Sequence, residues 1–171
     1  VPESLVLEFE ADSQEPIDPV RVIANRSSGK QGFALAQAAL DLGAEVVLVS
    51  GPVALNTPAG AQRVDVTTAG EMLAAVVEAL PGAAALLMAA AVADFRPLQA
   101  APQKIKKGGK IPSISLTETP DILAQVAQVK AQAGWPLVSV GFAAESQNLV
   151  TNAQAKLQAK QLDLIVANDI S

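Results

Sequence analysis

Hydrophobic positions follow two patterns that alternate along the chain. Short, nearly continuous apolar runs such as Glu45–Ser50 are typical of strands that are covered on both faces. Between them lie segments such as Gly32–Leu42, whose apolar residues fall on one face of a helix. The pattern predicts strands over residues 4–9, 45–50, 63–66, 84–89, 111–116, 137–143 and 162–167. It predicts helices over residues 32–42, 68–80, 119–131 and 148–160, with Thr68 and Thr119 as N-caps.

This order of elements predicts the fold class. Strands and helices alternate about five times, which favours right-handed crossovers and an α/β fold with a mainly parallel sheet and helices on both faces, in three layers. Ligands of such sheets bind beyond the carboxyl ends of the strands. The segments expected at that edge are residues 25–32, 50–60, 90–110 and 143–148, and the residues from 168 onwards.

Composition and charge narrow the class of protein. The chain has 171 residues, which suits a single domain over residues 1–171. Half of the residues are hydrophobic but only 3% are aromatic, so the core must consist mainly of Ala, Val, Leu and Ile. Charged residues make up 17%, which is low and indicates that part of the surface is buried against a partner. The net charge of −5 disfavours binding of nucleic acid.

Three residue types are absent, and their absence limits the chemistry. The chain has no His, Cys or Tyr, which excludes Ser-His-Asp and Cys-His nucleophiles, Cys/His zinc sites, redox dithiols and disulfides. Acid–base or electrostatic chemistry must then come from Asp, Glu, Lys, Arg, backbone amides or a hard cation such as Mg²⁺. No apolar stretch approaches the roughly 18 residues of a membrane span. The first ten residues carry three glutamates instead of the basic region of a signal peptide, so we expect a cytoplasmic domain without a membrane partner.

The loop Asn25–Gly32 is rich in small residues and leads into a predicted helix. Small residues let backbone N–H groups approach an anion, and a helix N-terminus adds a favourable partial charge. Ala24 and Gln31 stand where a Walker A loop requires Gly and Ser or Thr. Only two glycines match the dinucleotide fingerprint, and no ribose-binding acid follows the next strand. The segment is therefore either an anion-binding loop of another kind or a capped helix start.

Two further positions lie at predicted strand ends. Asp94 follows the run Ala89–Ala93, whose small side chains indicate a flat platform for a planar group. There Asp94 could bind a ribose, a base or a metal, or it could cap the loop. Phe142 follows another apolar run, where it could stack on a base or belong to the core.

Lysines are concentrated near one predicted loop. Residues 104–110 hold four of the 12 basic residues of the chain. Such a loop suits closure over a polyphosphate, because cations stabilise it most when water is excluded; the alternative is a solvated surface loop. Lys156 and Lys160 stand four residues apart on one helix face, where they either point at one anion or face water.

Taken in order, eight segments resemble the phosphopantothenoylcysteine synthetase family, the ligase half of the bacterial bifunctional coenzyme A biosynthesis flavoprotein. The segments are Glu15–Arg21, Asn25–Phe33, Leu48–Pro52, Ala89–Asp94, Lys104–Lys107, Thr119–Leu123, Val140–Glu145 and Asp163–Asp169. Their order and spacing agree from the first of them to the end of the chain. The resemblance is therefore far more specific than any single motif.

The resemblance implies a Rossmann-like ligase that joins 4'-phosphopantothenate to L-cysteine at the expense of CTP, with Mg²⁺. In this family the pantothenate carboxylate attacks the α-phosphate of CTP, and the cysteine amine then displaces CMP from the acyl-cytidylate. The absence of His and Cys fits this chemistry, because catalysis is then mainly positioning and charge neutralisation. The family also implies a homodimer and a flavin-dependent decarboxylase fused or associated upstream. The sequence alone leaves CTP and ATP open as the nucleotide.

The resemblance further implies roles for single residues. It assigns Asn25 to the acyl-nucleotide intermediate and Lys104 to a flexible lid, with Lys107 as a helper of the lid. Ser27 and the backbone of Gly29 would lie near phosphates. The CTP-binding positions are Asp94, Pro120, Asp121, Ile122, Leu123, Phe142, Lys156 and Lys160, and Asp121 is also a candidate ligand of Mg²⁺.

Two departures from the family pattern keep competing hypotheses open. Glu10–Ser13 replaces a Gly- and Thr-containing loop, which hinders close approach to a phosphate and adds negative charge. The chain stops at Ser171, where relatives continue, so we expect a domain truncated at its C-terminus. One alternative is a nucleotide-binding module that has lost catalysis. The other is an NAD(P)-dependent oxidoreductase, which the incomplete dinucleotide fingerprint disfavours.

Overall fold

The computed structural model describes the main chain of residues 6–10 and the whole of residues 13–108 and 113–171. Its helices are α1 (Lys30–Asp41), α2 (Ala69–Ala79), α3 (Ile122–Ala133) and α4 (Leu149–Ala159). Its strands are β1 (Val6–Glu10), β2 (Glu15–Pro16), β3 (Val22–Ile23), β4 (Val46–Ser50), β5 (Gln62–Asp65), β6 (Ala85–Met88), β7 (Phe95–Pro97), β8 (Leu116–Glu118), β9 (Val138–Glu145) and β10 (Leu164–Asp169). Within the described ranges, none of the helices is long and apolar enough to cross a membrane.

Six of the strands form one sheet in the order β10-β9-β6-β1-β4-β5, and every neighbouring pair is parallel. The chain first moves outward from β1 to β4 and β5, then crosses back to β6 and continues to β9 and β10. The order therefore reverses beside β1, which is the position where open parallel sheets bind their ligands. The predicted parallel sheet is confirmed.

Right-handed crossovers require α1 on one face of this sheet and α2, α3 and α4 on the other. The two core clusters follow this division. Phe33 and Ala36 of α1 pack on Val46 and Leu48 of β4. On the opposite face, β4 and β6 pack against α2, α3 and the end of α4, through Val49, Met72, Val76, Leu86, Met88, Ile122, Leu123, Val126 and Leu162. Strand β4 is thus covered on both faces, as its apolar run predicts, and the expected three layers are present.

Two short antiparallel pairs lie outside the main sheet. Strand β2 pairs with β3, and β7 pairs with β8. Strands β2, β3 and β7 are not predicted from the sequence, because strands of two or three residues have no hydrophobic period to detect. The strand predicted over residues 111–116 is displaced, since the paired residues are Leu116–Glu118. The changed segment Glu10–Ser13 lies partly outside the described residues, as do residues 109–112.

One predicted N-cap is correct and one is wrong. Thr68 accepts the N–H of Glu71 with its side chain, and the Glu71 carboxylate accepts the N–H of Thr68, which is the predicted capping box. Thr119 does not cap α3, because its hydroxyl donates to the Ala93 carbonyl at 2.6 Å. Asp121 caps α3 instead, and α3 therefore begins at Ile122.

The stability of the domain depends on the core cluster below α2 and α3, and a pair of identical substitutions tests this. We expect Leu86→Ala to lower the free energy of unfolding by about 2–5 kcal/mol, because Leu86 is fully buried and its loss leaves a cavity. The control is Leu42→Ala at the end of α1, where the side chain is 89% exposed. That change is expected to stay within about 0.5 kcal/mol in urea unfolding. Equal effects of the two substitutions would contradict the assignment of this core.

Candidate functional site

A cavity of about 490 Å³ opens at the carboxyl edge of the sheet, between β6, β9, the start of α3 and the exposed end of α4. All eight positions that the family resemblance assigns to the nucleotide line it: Asp94, Pro120, Asp121, Ile122, Leu123, Phe142, Lys156 and Lys160. These residues come from four separate parts of the sequence. The parallel sheet brings them together because its strands all end at the same edge.

One wall of the cavity is the platform of small residues after β6. Ala90, Val92 and Ala93 line it, and the binding of a planar group to this run stays a prediction. The platform is tied to the start of α3, since the Thr119 hydroxyl donates to the Ala93 carbonyl and the Thr119 N–H donates to the Asp94 carbonyl at 3.0 Å. These ties hold the alanine run and the N-terminus of α3 on opposite sides of one opening.

Sequence reasoning misses four of the residues that line the cavity: Met88, Phe95, Glu118 and Thr119. Phe95 and Glu118 face each other across the β7–β8 pair, which no hydrophobic period reveals. Thr119 is noticed in the sequence, but as a helix cap. The competing acceptor, the Ala93 carbonyl, is 26 residues away in the chain and has no local signal.

Asp121 joins the two helices that border the cavity. Its Oδ1 accepts the N–H of Ala124 at 3.0 Å and thereby caps α3, while its Oδ2 accepts from the Lys160 ammonium. Partial burial raises the pKa of Asp121, but the hydrogen bonds from Lys160 and Ala124 and the charges of Lys160 and Lys156 outweigh it, so the pKa lies below its ordinary value. The carboxylate is therefore charged at neutral pH, and both of its oxygens are engaged.

Lys156 lies deeper in the site than Lys160. Its ammonium donates to the Phe142 carbonyl at 2.6 Å. Burial and the nearby charge of Lys160 lower the pKa of Lys156, whereas the carboxylates of Glu145, Asp94 and Asp121 raise it, and the net shift is downward. A half-buried cation that is held by a carbonyl can exchange that contact for a stronger one with an anion.

Phe142 contributes its carbonyl group to this contact. A Cβ atom built on the backbone of Gly141 would point toward Leu162 and Leu123, and it would stand 2.5 Å from Leu162 Cδ1. Because side chains alternate along a strand, the ring of Phe142 leaves β9 on the other face of the sheet. Stacking of this ring on a base stays a prediction.

Asn25 lies outside the cavity lining but touches the same platform. Its side-chain amide donates to the Ala91 carbonyl at 3.2 Å and to the Val92 carbonyl at 2.9 Å. Both acceptors are carbonyls, so the NH₂ group must face them, which fixes the orientation of the amide. The amide oxygen then remains as an acceptor, and none of the described residues donates to it.

Two serine hydroxyls accept N–H groups where the loop after Asn25 enters α1. Gly29 is the N-cap residue, with φ of 74°, and an ideal Cβ there would stand 2.9 Å from Val53 Cγ1. Ser27 Oγ accepts the Gly29 N–H at 3.3 Å. First-turn N–H groups of a helix have no intrahelical partner. Ser28 Oγ accepts the N–H of Lys30, the first residue of α1, at 3.4 Å, so the anion-binding loop and the capped helix start both stay open.

The lysine loop is separate from the cavity. Lys104 and Lys107 are exposed, and neither contributes to the lining. Lys110 lies outside the described residues. The structure thus brings the predicted nucleotide positions together and leaves Lys104 and Lys107 outside the cavity lining, so the lid role of these lysines stays a prediction.

Comparison with known proteins identifies the family to which the chain belongs. Residues 11–171 match the family of the DNA/pantothenate metabolism flavoprotein C-terminal domain. The chain belongs to this family. The coenzyme A biosynthesis bifunctional protein CoaBC of Vibrio cholerae is 48% identical to this chain over 161 residues, which cover 93% of the chain and 40% of that protein. The protein of the same name from Escherichia coli K12 is 51% identical over 162 residues, which cover 93% of the chain and 39% of that protein.

A solved structure has the same fold as this chain. The crystal structure of the C-terminal domain of the coenzyme A biosynthesis bifunctional protein CoaBC superimposes with a TM-score of 0.83 at 38% identity, covering 98% of this chain and 77% of that chain. The family resemblance and the Rossmann-like fold expected from the sequence are therefore confirmed. The chain spans about two fifths of the length of the curated relatives it matches.

The Asp121–Lys160 contact predicts a specific dependence of stability on pH. The pKa of Asp121 in the folded protein lies below its ordinary value of 3.8. The ionised carboxylate therefore contributes its full stabilisation at pH values above 3.8, and this contribution is lost as the pH falls through the lowered pKa. Asp121→Asn keeps the cap of α3 and removes the charge. The side chain is 46% exposed, so the expected difference in the free energy of unfolding is only about 0.5 kcal/mol at pH 7, disappearing toward pH 2. A difference that stays constant down to pH 2 in urea unfolding would contradict the ion pair.

Proposed function

We propose that this protein catalyses the CTP-dependent ligation of 4'-phosphopantothenate with L-cysteine. The proposal is carried by one observation above all: the eight positions assigned to the nucleotide line a single cavity beside β6 and β9, at the carboxyl edge of the sheet. High identity to the ligase portion of coenzyme A biosynthesis bifunctional proteins supports it. The reaction would proceed in two steps. The pantothenate carboxylate forms a bond to the α-phosphorus as pyrophosphate leaves, and the cysteine amine then forms the amide as CMP leaves.

The cavity offers donors for the nucleotide from two directions. Lys156 and Lys160 supply positive charge from α4. Ile122 and Leu123 supply first-turn N–H groups at the N-terminus of α3, which have no intrahelical acceptor. In this account Lys160 exchanges the Asp121 carboxylate for phosphate, and Lys156 exchanges the Phe142 carbonyl. Such prearranged cations stabilise the charge that develops on the leaving pyrophosphate.

Asn25 is well placed to act on the activated carboxyl group. Its NH₂ group is held by the carbonyls of the alanine platform, and among the described residues no group donates to its oxygen, which would accept from a substrate O–H or N–H. That arrangement supports the assignment of Asn25 to the acyl-cytidylate. Ser27 and the backbone of Gly29 at the start of α1 would bind phosphate in the same account.

Mg²⁺ fits this site together with the nucleotide phosphates. The described residues contain no group of three or more His, Cys, Asp or Glu side chains that could hold a metal. Magnesium commonly takes only one or two carboxylates beside phosphates and water. Asp94 or Asp121 would supply such a carboxylate, and Asp121 would do so only by releasing Lys160. When bound, the ion would neutralise phosphate charge.

The two alternative functions predict different results. A module that binds nucleotide without catalysis predicts CTP binding in calorimetry and no pyrophosphate release. An NAD(P)-dependent oxidoreductase predicts tighter binding of NAD than of CTP. The loss of pyrophosphate release when CTP is replaced by ATP would support CTP as the nucleotide.

The lysine loop provides the mutational test of the ligase. We expect Lys104→Gln to lower turnover, measured as pyrophosphate release with CTP, Mg²⁺, phosphopantothenate and cysteine, by about 100-fold or more, because a lid cation would act mainly in the transition state. Lys106→Gln is the matched control from the same loop, and it is expected to retain turnover. Both variants should keep the thermal unfolding midpoint of the parent. Equal turnover of the two variants would remove Lys104 from the mechanism.

We also propose that the domain forms a homodimer through its two small sheets. Val22 of β3, Leu98 after β7, and Leu116 of β8 expose 45%, 64% and 50% of their surfaces. The two sheets are adjacent, because β2 contacts β7. Clustered apolar side chains of this kind are typical of an interface. They would also account for the low content of charged residues.

A charge placed in this surface tests the dimer. Leu98→Glu is expected to convert a dimeric protein to a monomer in analytical ultracentrifugation, because burying an unpaired carboxylate is strongly unfavourable. Leu42→Glu, at an 89% exposed position at the end of α1, is the control and should remain dimeric. A monomeric parent, or a dimeric Leu98→Glu variant, would contradict the proposed interface.

A further inference from the structure

An ion pair between a buried carboxylate and a half-exposed arginine lies beside the lysine loop and outside the cavity. The Asp18 side chain has no exposed surface, although it carries a charge. Its Oδ1 accepts the N–H groups of Val20 at 2.9 Å and of Arg21 at 3.0 Å. Its Oδ2 accepts Arg21 Nε at 2.9 Å, the Arg21 Nη2 group, and the N–H of Ile105 at 3.1 Å.

Arg21 completes a clamp around one residue of the loop. Its Nη2 group also donates to the Ile105 carbonyl at 2.8 Å. Both main-chain groups of Ile105 are therefore bound by the pair, one to Asp18 and the other to Arg21. A second tie holds the start of the same loop, since the Ala101 N–H donates to the Ile17 carbonyl at 2.8 Å.

The clamp fixes the chain directly beside the lysines. Ile105 stands between Lys104 and Lys106, whose side chains are exposed. Adjacent Cα atoms are about 3.8 Å apart, so the Cα of Lys104 lies one residue from a fixed point. Hydrogen bonds to charged groups are the stronger kind, and a buried carboxylate cannot lose its partners without a large cost. The Arg21 guanidinium and the N–H donors hold the pKa of Asp18 well below its ordinary value, so the carboxylate stays charged.

We propose that Asp18, acting through Arg21 and Ile105, is a positioning residue that sets where the Lys104 side chain meets the substrates. The inference rests on the proposed function for the role of Lys104. The clamp itself is independent of that function. Without it, the loop would keep its lysines but lose the fixed point beside Lys104, and more of the binding free energy would go into ordering the loop.

Amide hydrogen exchange tests the clamp without any substrate. In the parent protein we expect the N–H of Ile105 to exchange about tenfold more slowly than the N–H groups of Lys104 and Lys106, after correction for intrinsic rates. Asp18→Asn should abolish this protection, because a side-chain NH₂ in place of an oxygen cannot accept from Ile105 or Arg21. Trypsin should then cleave faster after Lys104 and Lys106, at a temperature well below unfolding.

Two further variants make the exchange measurement specific. Asp65→Asn breaks another Arg–Asp pair, with Arg63, and should leave the exchange of Ile105 unchanged. Arg21→Lys keeps a positive charge beside Asp18 but lacks the planar fork that reaches both Asp18 and the Ile105 carbonyl, so it should lose part of the protection. It replaces Asp18→Asn if that variant fails to fold. An unprotected Ile105 N–H in the parent protein overturns the clamp.

A double-mutant cycle then tests positioning. We expect Asp18→Asn to lower kcat by about tenfold or more with a smaller change in the KM for CTP. In the Lys104→Gln background the same change should matter less than about twofold, since two residues that act through one contact are not additive. Equal effects in both backgrounds would overturn the positioning role. Absence of turnover in the parent protein, with Ile105 protected as expected, would count against the proposed function and leave the clamp standing.

Discussion

All strands of the main sheet run parallel, and every other feature of the site depends on this constraint. Parallel pairing places the carboxyl ends of all six strands at one edge, and the reversal of order beside β1 separates the loops there into two groups. Asn25, in the segment that follows β3, donates to carbonyls at positions 91 and 92. Asp121 and Lys160, which are 39 residues apart in sequence, meet across the same edge. Contacts between such distant segments exist only because of the strand order.

The charges at this edge are already paired within the protein. Lys160 contacts Asp121, Lys156 contacts the Phe142 carbonyl, and Asp18 is enclosed by Arg21 and Ile105. The first two pairs involve partly exposed cations, which a polyphosphate can take over at little cost in reorganisation. In the third pair the carboxylate of Asp18 is buried and both partners bind main chain, so this pair suits a structural role. The domain thus has an acidic net charge although lysines are concentrated locally.

The fold was largely predictable because its signals are local. The apolar run of β4 and the capping box of α2 each depend on adjacent residues, and both are found in the structure. The paired strands β2, β3 and β7 were not predictable, since two or three residues carry no period. Thr119 illustrates the same limit, because its distant partner at position 93 decides its role. The nucleotide positions came from a family resemblance, and spacing alone could not distinguish them from surface lysines and loop caps.

We propose that a nucleotide activates a carboxylate at this edge of the sheet, and an isotope-exchange reaction tests that step. Labelled pyrophosphate should enter CTP when phosphopantothenate and Mg²⁺ are present and cysteine is left out, because the first step is then the only one that can reverse. We expect the exchange of pyrophosphate into CTP to require phosphopantothenate. Absence of exchange in a protein that binds CTP, or exchange at the same rate without phosphopantothenate, would contradict it.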